Sequence, residues 1–313
     1  MKSFKMRLDS IQYSARQTNI YTFVPVDGAA LSPASAGSHI DLYLRPDLIR
    51  QYSLMETSAD PRAYVVAIKK EASGRGGSRH VHEMLRVGDE IMVGEPRNNF
   101  PLVEDAPHSV LIAGGIGITP IWAMARRLTE LGRDWRLFVS NRNRDEAPLL
   151  GQLNACGKAM LHFDDEAGGF ADLDAIIAGA PQGTHFYCCG PAPMLAAYRT
   201  ATAHLPPDHV HLEAFGAEPV SSEDDGEFIV RLAKSGTEFA IPAGQTILDV
   251  LRDHGIELVS SCEAGVCGMC ETRVLEGKVD HRDHVLAPDQ QALNDRMMIC
   301  CSRAATDRLI LDL

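Results

Sequence analysis

Three cysteines crowd the stretch SCEAGVCGMC (261–270), spaced Cys262-x4-Cys267-x2-Cys270, and a fourth thiol follows in MMICCSRA (297–304). Few sequence features constrain a chain more, because the loop that carries them must converge on one small object. A disulfide framework is disfavoured. The chain has 8 Cys in 313 residues, and MKSFKMRLDS lacks the apolar run of a signal peptide, so a reducing, cytoplasmic setting is expected. A structural zinc site pairs two Cys-x2-4-Cys knuckles, and no second knuckle is present. A thioredoxin-like Cys267–Cys270 pair would leave Cys262 unexplained and sits between glycines rather than between a strand and a helix. The spacing of a plant-type [2Fe–2S] cluster accounts for all three thiols of the loop and a distant fourth, with Cys262, Cys267, Cys270 and Cys300 as ligands. Cys300 is preferred to Cys301 because it directly follows the apolar run MMI; Cys301 is then a packed side chain. Gly265 and Gly268 let the backbone bend around the inorganic core and leave amide groups for the sulfurs.

A cluster of this kind carries one electron and does no chemistry alone, so the rest of the chain must supply the source. Its length allows two or three domains. The clearest linker is GAEPVSSEDDGE (216–227), and a softer boundary is PLVEDAPHS (101–109). These divide the chain into residues 1–104, 105–222 and 226–313. Net charge is −12, which argues against nucleic acid or an anionic membrane as partner, and no segment has the apolar length of a membrane span. Residues 226–313 hold 9 basic and 14 acidic side chains, and Glu223–Asp225 add three more acids.

The middle segment alternates strand and helix. SVLIAGG (109–115), WRLFVSNR, KAMLHFDD, THFYCCG and HVHLEAF read as strands; IWAMARRLTELG, DLDAIIAGA and APMLAAYRTATAHL read as helices. Thr119 is the expected N-cap of the first helix, Pro120 its N1 residue and Gly132 its stop. The pattern predicts a doubly wound α/β domain whose glycine turn, GGIGITP, brings a pyrophosphate to a helix N-terminus. CCGP (188–191) ends a late strand at the carboxyl edge, where Cys188 is expected to pack and Cys189 to stand at the mouth. The front segment shows only β-like runs, from SFKMRLDSIQYSA through EIMVGEPR, and predicts a small antiparallel barrel. Within it, RQYS (50–53) sets a cation, an aromatic ring and a hydroxyl at a strand, and GRGGS (74–78) precedes a short helix that Ser78 is expected to cap.

Taken in order, RQYS, GRGGS, EPRNNFPL, AGGIGITP, CGP, CEAGVCGMCETRVLEGKVDHRD and CCSRA resemble the phthalate dioxygenase reductase family, within the ferredoxin–NADP reductase superfamily, over nearly all 313 residues. The resemblance implies a flavin barrel, a nicotinamide domain and a C-terminal β-grasp ferredoxin domain. It also implies FMN, NADH and one [2Fe–2S] cluster, with a separate Rieske-type oxygenase as electron acceptor and a monomeric state. Carried over residue by residue, Arg50 meets the flavin phosphate, Tyr52 lies along the ribityl chain or ring, and Ser53 sits near the flavin N5 edge. Gly77 and Ser78 bind the phosphate, and Lys69 joins the cofactor-binding set. Gly115, Gly117, Thr119 and Pro191 line the dinucleotide site, with Cys189 near the reacting ring and Phe215 covering the flavin face. Ser53, Cys189 and Phe215 are thereby the residues at the reacting centre.

The order of cofactors follows from electron counting. A nicotinamide gives up two electrons at once and the cluster accepts one, so a flavin must stand between them, and no general acid or base is required. One local departure concerns the dinucleotide. The second strand of the middle segment ends VSNRNRDE, where Ser140, Arg142 and Arg144 suit a 2′-phosphate better than a free ribose, although the resemblance implies NADH. Two other functions fit the motifs: a stand-alone NAD(P)H reductase of a small acceptor such as ferric iron or a quinone, and a redox sensor. The sensor would not need both nucleotide sites.

Overall fold

The computed structural model describes residues 3–45, 48–59, 61–72, 76–215, 225–260, 263, 265, 268–283 and 285–313. Residues Met1–Phe215 and Gly216–Leu313 form two compact units. Cys262 and Cys267, Ala264 and Val266, Gly74 and Arg75, and linker residues 216–224 lie outside the described residues.

The first unit opens with six strands that close on themselves. They are β1 (Ser3–Ala15), β2 (Thr18–Pro25), β3 (Ser38–Arg45), β4 (Leu48–Ser53), β5 (Tyr64–Lys69) and β6 (Glu90–Gly94), with α1 (Gly77–Met84) between β5 and β6. They run in the order β4-β3-β6-β1-β2-β5, and the short β7 (Arg97–Asn98) adds to β3. A bridge from Leu54 to Val66 and the 2.9 Å bond from Met55 N–H to the Val65 carbonyl join the two ends, making the predicted antiparallel barrel. Alternation fixes the inside: Phe4, Met6 and Leu8 of β1 point inward while Ser3, Lys5 and Arg7 stay exposed.

The second half of this unit is the predicted doubly wound sheet, all parallel, in the order β10-β9-β8-β11-β12. In chain order its elements are β8 (His108–Gly114), α2 (Ile118–Glu130), β9 (Trp135–Asn141), α3 (Leu150–Cys156), β10 (Ala159–Phe163), α4 (Asp164–Ala167), α5 (Leu173–Ala178), β11 (Thr184–Cys189), α6 (Ala192–Thr202) and β12 (Val210–Glu213). Every residue of β8 is buried, as a central parallel strand requires. Leu111 and Ala113 face α2, while Val110 and Ile112 face α5 and α6. Ile20, Met55 and Ala67 of the barrel share the α2 core with Ile118, Ile121 and Met124, so barrel and sheet are packed as one body.

The second unit is a β-grasp. Its elements are β13 (Phe228–Leu232), β14 (Glu238–Ile241), α7 (Ile247–Asp253), β15 (Glu271–Glu276), β16 (Val279–Asp280), α8 (Pro288–Leu293), β17 (Arg296–Met298), β18 (Arg303–Ala304) and β19 (Arg308–Leu311). The main sheet runs β14-β13-β19-β15-β17, with β13 and β19 parallel at its centre. Helix α7 starts at a reciprocal cap: the Thr246 hydroxyl accepts from the Asp249 N–H at 3.1 Å and the Asp249 carboxylate accepts from the Thr246 N–H at 3.3 Å. It buries Ile247, Leu248 and Leu251 with Val230, Met297, Met298 and Leu309.

Candidate functional site

Strand β4 carries Arg50, Tyr52 and Ser53, and the first turn of α1 lies against it. A methyl group added at Gly77 would overlap the Cγ of Arg50, so the stem of Arg50 passes directly beneath the helix start, as close as only glycine permits. Gly76, with φ of 81°, is the residue preceding this helix. That corrects the expected cap. Ser78 is inside the helix, and its hydroxyl accepts from the Glu71 N–H at 3.0 Å instead. The helix start therefore keeps its amides uncapped by any side chain, which suits a phosphate beside the Arg50 cation. Burial raises the Tyr52 phenol well above its usual range, and Ser53 is buried at the end of the same strand. Lys69, at the end of β5, lies 3.7 Å from Glu146 in the loop after β9, and Arg16 pairs with the same carboxylate.

The dinucleotide crevice is built from backbone. In the strand order β9-β8-β11, chain direction switches sides between β8 and β11, and both strands end in glycine turns. A methyl group at Gly117 would overlap the Cys189 carbonyl; one at Gly190 would sit 3.2 Å from the Cα of Gly114. One at Gly114 would lie 2.6 Å from the Cδ of Pro191, which caps α6. By contrast Gly115, with φ of +55°, has nothing within 4 Å of where a side chain would be, leaving open space above the turn. The cap of α2 falls two residues before the expected one. Gly117 precedes the helix, and Thr119 is buried, its hydroxyl donating to the Ile116 carbonyl at 3.1 Å. The short 3-10 turn at Gly115–Gly117 takes up the chain that the sequence pattern assigned to a cap. Gly132 ends the helix region with φ of +65°.

Cys188 and Cys189 are both fully buried, so Cys189 does not stand at a mouth; its side chain joins the α2 core. Burial pushes the Cys188 thiol up to about 12 and the Cys189 thiol well above its ordinary range. The structure adds a residue that sequence reading missed. Glu213 pairs with Cys189 across β11 and β12, and burial raises its carboxyl to about 8. Its Oε2 is buried without a hydrogen-bond partner. Phe215, two residues on, is 45% exposed.

At the outer end of the crevice Ser140 is buried and its hydroxyl donates to Asp164 at 3.4 Å. Arg142 is exposed, and its carbonyl accepts from the Asp165 N–H at 3.1 Å. Arg144 is held by Glu166 through two bonds of 2.6 and 3.0 Å.

In the second unit Cys270 ends the loop just before β15, and Cys300 directly follows the buried run after β17. Both are buried free thiols. A methyl group at Gly265, with φ of +67°, would lie 2.6 Å from the Cys301 Sγ and 3.1 Å from the Asp283 Cα. That close approach sets the Gly265 backbone against the Cys301 side chain and fits a compact cluster held by thiols from both segments. Arg282 grips Asp225 with two bonds of 2.9 Å and Asp280 with one of 2.8 Å. Arg303, 2% exposed, donates to the carbonyls of Gly226 and Pro242 at 2.9 and 3.2 Å.

Residues 230–305 match the family described as 2Fe-2S iron-sulfur cluster binding domain. Over the whole chain, the protein is 46% identical to phenoxybenzoate dioxygenase subunit beta of Ectopseudomonas oleovorans, covering 100% of this chain and 98% of that one. Among solved structures it matches phthalate dioxygenase reductase, described as a modular structure for electron transfer from pyridine nucleotides to [2Fe-2S], with a TM-score of 0.80 and 36% identity over 99% and 98% of the two chains. The chain belongs to the phthalate dioxygenase reductase family. It is an NADH-dependent iron–sulfur flavoprotein oxidoreductase of the kind that serves multicomponent oxygenases, with FMN and one [2Fe–2S] cluster. Tetrachlorobenzoquinone reductase of Sphingobium chlorophenolicum is also 45% identical, over 100% of this chain and 99% of its own.

Proposed function

We propose that this protein is the cytoplasmic, monomeric reductase partner of a Rieske-type oxygenase, and that its reacting centre lies where β4, the β8–α2 turn and the end of β11 come together in the chain's first unit. The observation that carries the reading is the pair of glycine turns that exclude every side chain between Gly117 and the Cys189 carbonyl while leaving Gly115 open. When bound, FMN accepts a hydride from NADH and passes electrons singly to the cluster. The chain's own residues prepare that exchange. Arg50 and the uncapped start of α1 hold the phosphate, with Gly77 and Ser78 in the first turn and Lys69 fixing the adjoining loop through Glu146. Gly115, Gly117, Thr119 and Pro191 shape the dinucleotide's bed, and Tyr52 and Ser53 form the barrel side. Burial keeps the Cys189 thiol protonated at neutral pH and Glu213 mostly so, and the pocket floor adds little charge to a hydride path. Phe215 covers the flavin until the nicotinamide enters. Cys262, Cys267, Cys270 and Cys300 hold the cluster.

The cofactor reading is tested by acid extraction and metal analysis: FMN with two irons is expected, and FAD or zinc overturns it. Phe215→Ala is expected to keep FMN and to change the single-turnover hydride-transfer rate; loss of flavin would make Phe215 a packing residue. The acidic second unit, with the acids of the linker, suits a basic patch on the oxygenase near the cluster loop. Transfer to the oxygenase is then expected to slow with added salt far more than internal flavin reduction, as the Debye length falls from about 10 Å at 0.1 M to about 3 Å at 1 M.

A second reading rests on one observation, the 45% identity to a protein named for reducing a tetrachlorobenzoquinone. Under it the electrons go to a small quinone and no oxygenase is needed. NADH consumption that is fast with a benzoquinone and indifferent to any oxygenase supports it; consumption coupled to product only with an oxygenase present removes it.

A further inference from the structure

The stretch VDHRD (279–283) gathers two acids, a histidine and an arginine at the short strand β16. Asp280 and Arg282 are engaged in the grip on Asp225. Asp283 is not, and its side chain is fully buried. Its Oδ2 accepts from the Val285 N–H at 3.1 Å and the Leu286 N–H at 2.8 Å, and its Oδ1 accepts from the Ser302 hydroxyl at 3.3 Å. The Ser302 oxygen accepts in turn from the Arg282 N–H at 3.2 Å. A buried carboxylate is costly unless donors of this kind hold it.

These bonds join two segments that carry or border the assigned cluster ligands. On one side, residues 283–285 lie against the loop glycines. A methyl group at Gly265 would come within 3.1 Å of the Asp283 Cα, and one at Gly268, two residues before Cys270, within 3.6 Å of the Val285 Cγ1. On the other side, Ser302 is buried two residues after Cys300, and its N–H donates to the Met298 carbonyl at 2.9 Å, which closes the turn holding Cys300. One side chain thus braces both segments.

Bracing alone needs only an acceptor; the carboxylate also brings a charge. No lysine or arginine among the described residues pairs with it. The neighbour able to carry positive charge is His281, whose Nδ1 lies 3.5 Å from the Asp283 Oδ1 and whose ring nitrogens have no hydrogen-bond partner among the described residues. A [2Fe–2S] centre bound by four thiolates is already anionic, and an added electron makes it more so. A carboxylate inside the same core makes that electron harder to place, since net charge and burial are among the factors that set such potentials.

We propose that Asp283 is a positioning residue for the cluster and sets its reduction potential: it braces the Gly265 loop against the Cys300 turn, and its charge keeps the potential low, so that the electron received from the flavin is passed on rather than retained. This rests on the cluster reading given above.

The test uses the full-length protein loaded with FMN and cluster, titrated with dithionite against mediator dyes. EPR follows the reduced cluster and absorbance the flavin. At a fixed solution potential, Asp283→Asn is expected to raise the ratio of reduced to oxidised cluster about tenfold, an upward shift of about 59 mV for a one-electron couple, with the flavin potential unchanged. Ser302→Ala removes one bond to the carboxylate but no charge, and is expected to move the ratio less than threefold. A rise below threefold in Asp283→Asn, or equal rises in the two variants, overturns the assignment. If Asp283→Asn fails to retain its cluster, Asp283→Glu decides, because it restores the charge. A retained cluster with a ratio within threefold of wild type supports the proposal, and a lost cluster overturns it. Wild type lacking both iron and a reduced-cluster EPR signal would instead sink the cluster reading itself.

Discussion

In residues 3–215 the groups assigned to flavin and dinucleotide stand at strand ends or in the first turn of a helix: Ser53 at the end of β4, Gly77 at the start of α1, Gly117 before α2, Cys189 at the end of β11. In residues 225–313 the described cysteines assigned to the cluster sit in irregular segments, Cys270 before β15 and Cys300 after β17, with Gly265 and Gly268, both at positive φ, just ahead of Cys270. The first unit carries its assigned sites on elements that its own core holds; the second carries its described assigned ligands outside regular secondary structure. Bound groups should therefore matter unequally to the two. Stripping flavin should cost the first unit little structure, whereas losing the cluster should cost the second much.

The largest expected effect follows directly. Cys300→Ser should abolish the reduced-cluster EPR signal and lower the stability of the second unit by several kcal/mol while FMN stays bound; unchanged stability would erase the contrast. Gly117→Ala is next, and tests whether the first unit's site is rigid. A side chain there overlaps the Cys189 carbonyl, and the backbone must shift, so nicotinamide-driven flavin reduction should fall about a hundredfold or more with FMN content kept. A mild loss would mean the turns give way as readily as a loop. Asp225→Asn should destabilise the second unit by ~2 kcal/mol, because it removes the carboxylate that Arg282 grips and that lies 3.5 Å from buried Arg303. Chemical denaturation followed by cluster absorbance measures it.

Acid separates the units more gently. His39 and His211, both in the first unit, are held neutral by burial, each with its pKa lowered to about 4. His211 also shares a 3.1 Å hydrogen bond with His185, whose ring lies within 11° of its plane, and two protonated rings cannot share it. Lowered histidine pKa values mean that the unfolded chain takes up protons first as pH falls. Stability present above pH 6.5 should thus decline toward pH 4 in the first unit. His39→Gln should flatten that decline by ~2 kcal/mol; a parallel slope in wild type and variant would refute the assignment. Smallest of all, Cys301→Ser should leave the EPR signal intact and cost under ~1 kcal/mol. A lost signal would move the fourth ligand by one residue.

Much of this organisation is written locally. The alternation in SFKMRL gives the inward face of the first half of β1, and the apolar run of β8 declares a strand buried on both faces. The spacing of Cys262, Cys267 and Cys270 names its cluster before any fold is known. What stayed hidden depends on sheet order. Glu213 looks like the polar end of a short strand in HLEAF, and only the pairing of β12 with β11 buries its carboxyl beside Cys189. Arg144 reads as a free cation in NRNRDE until β10 and α4 bring Glu166 to it. Lys69 looks ready for a cofactor, yet a loop from the neighbouring sheet puts Glu146 beside it. The two misplaced caps, at Ser78 and Thr119, share a cause: glycines at 76 and 117 enter the helices without a side chain, which frees the helix starts for a ligand.

The parallel pairing of β13 with β19 has a consequence for how the protein is made. Phe228–Leu232 cannot find its central neighbour until residues 308–311 have left the ribosome, so the sheet of the second unit cannot close during translation of its first eighty residues. All four cysteines proposed to hold the cluster are synthesised within that interval. A nascent chain adding about 5–20 residues per second presents these thiols for seconds before a core exists to shelter them. The delivery machinery for iron and sulfide thus meets an open, long-range topology of the slow-forming kind, and the race between cluster insertion and thiol oxidation is set by when one late strand arrives.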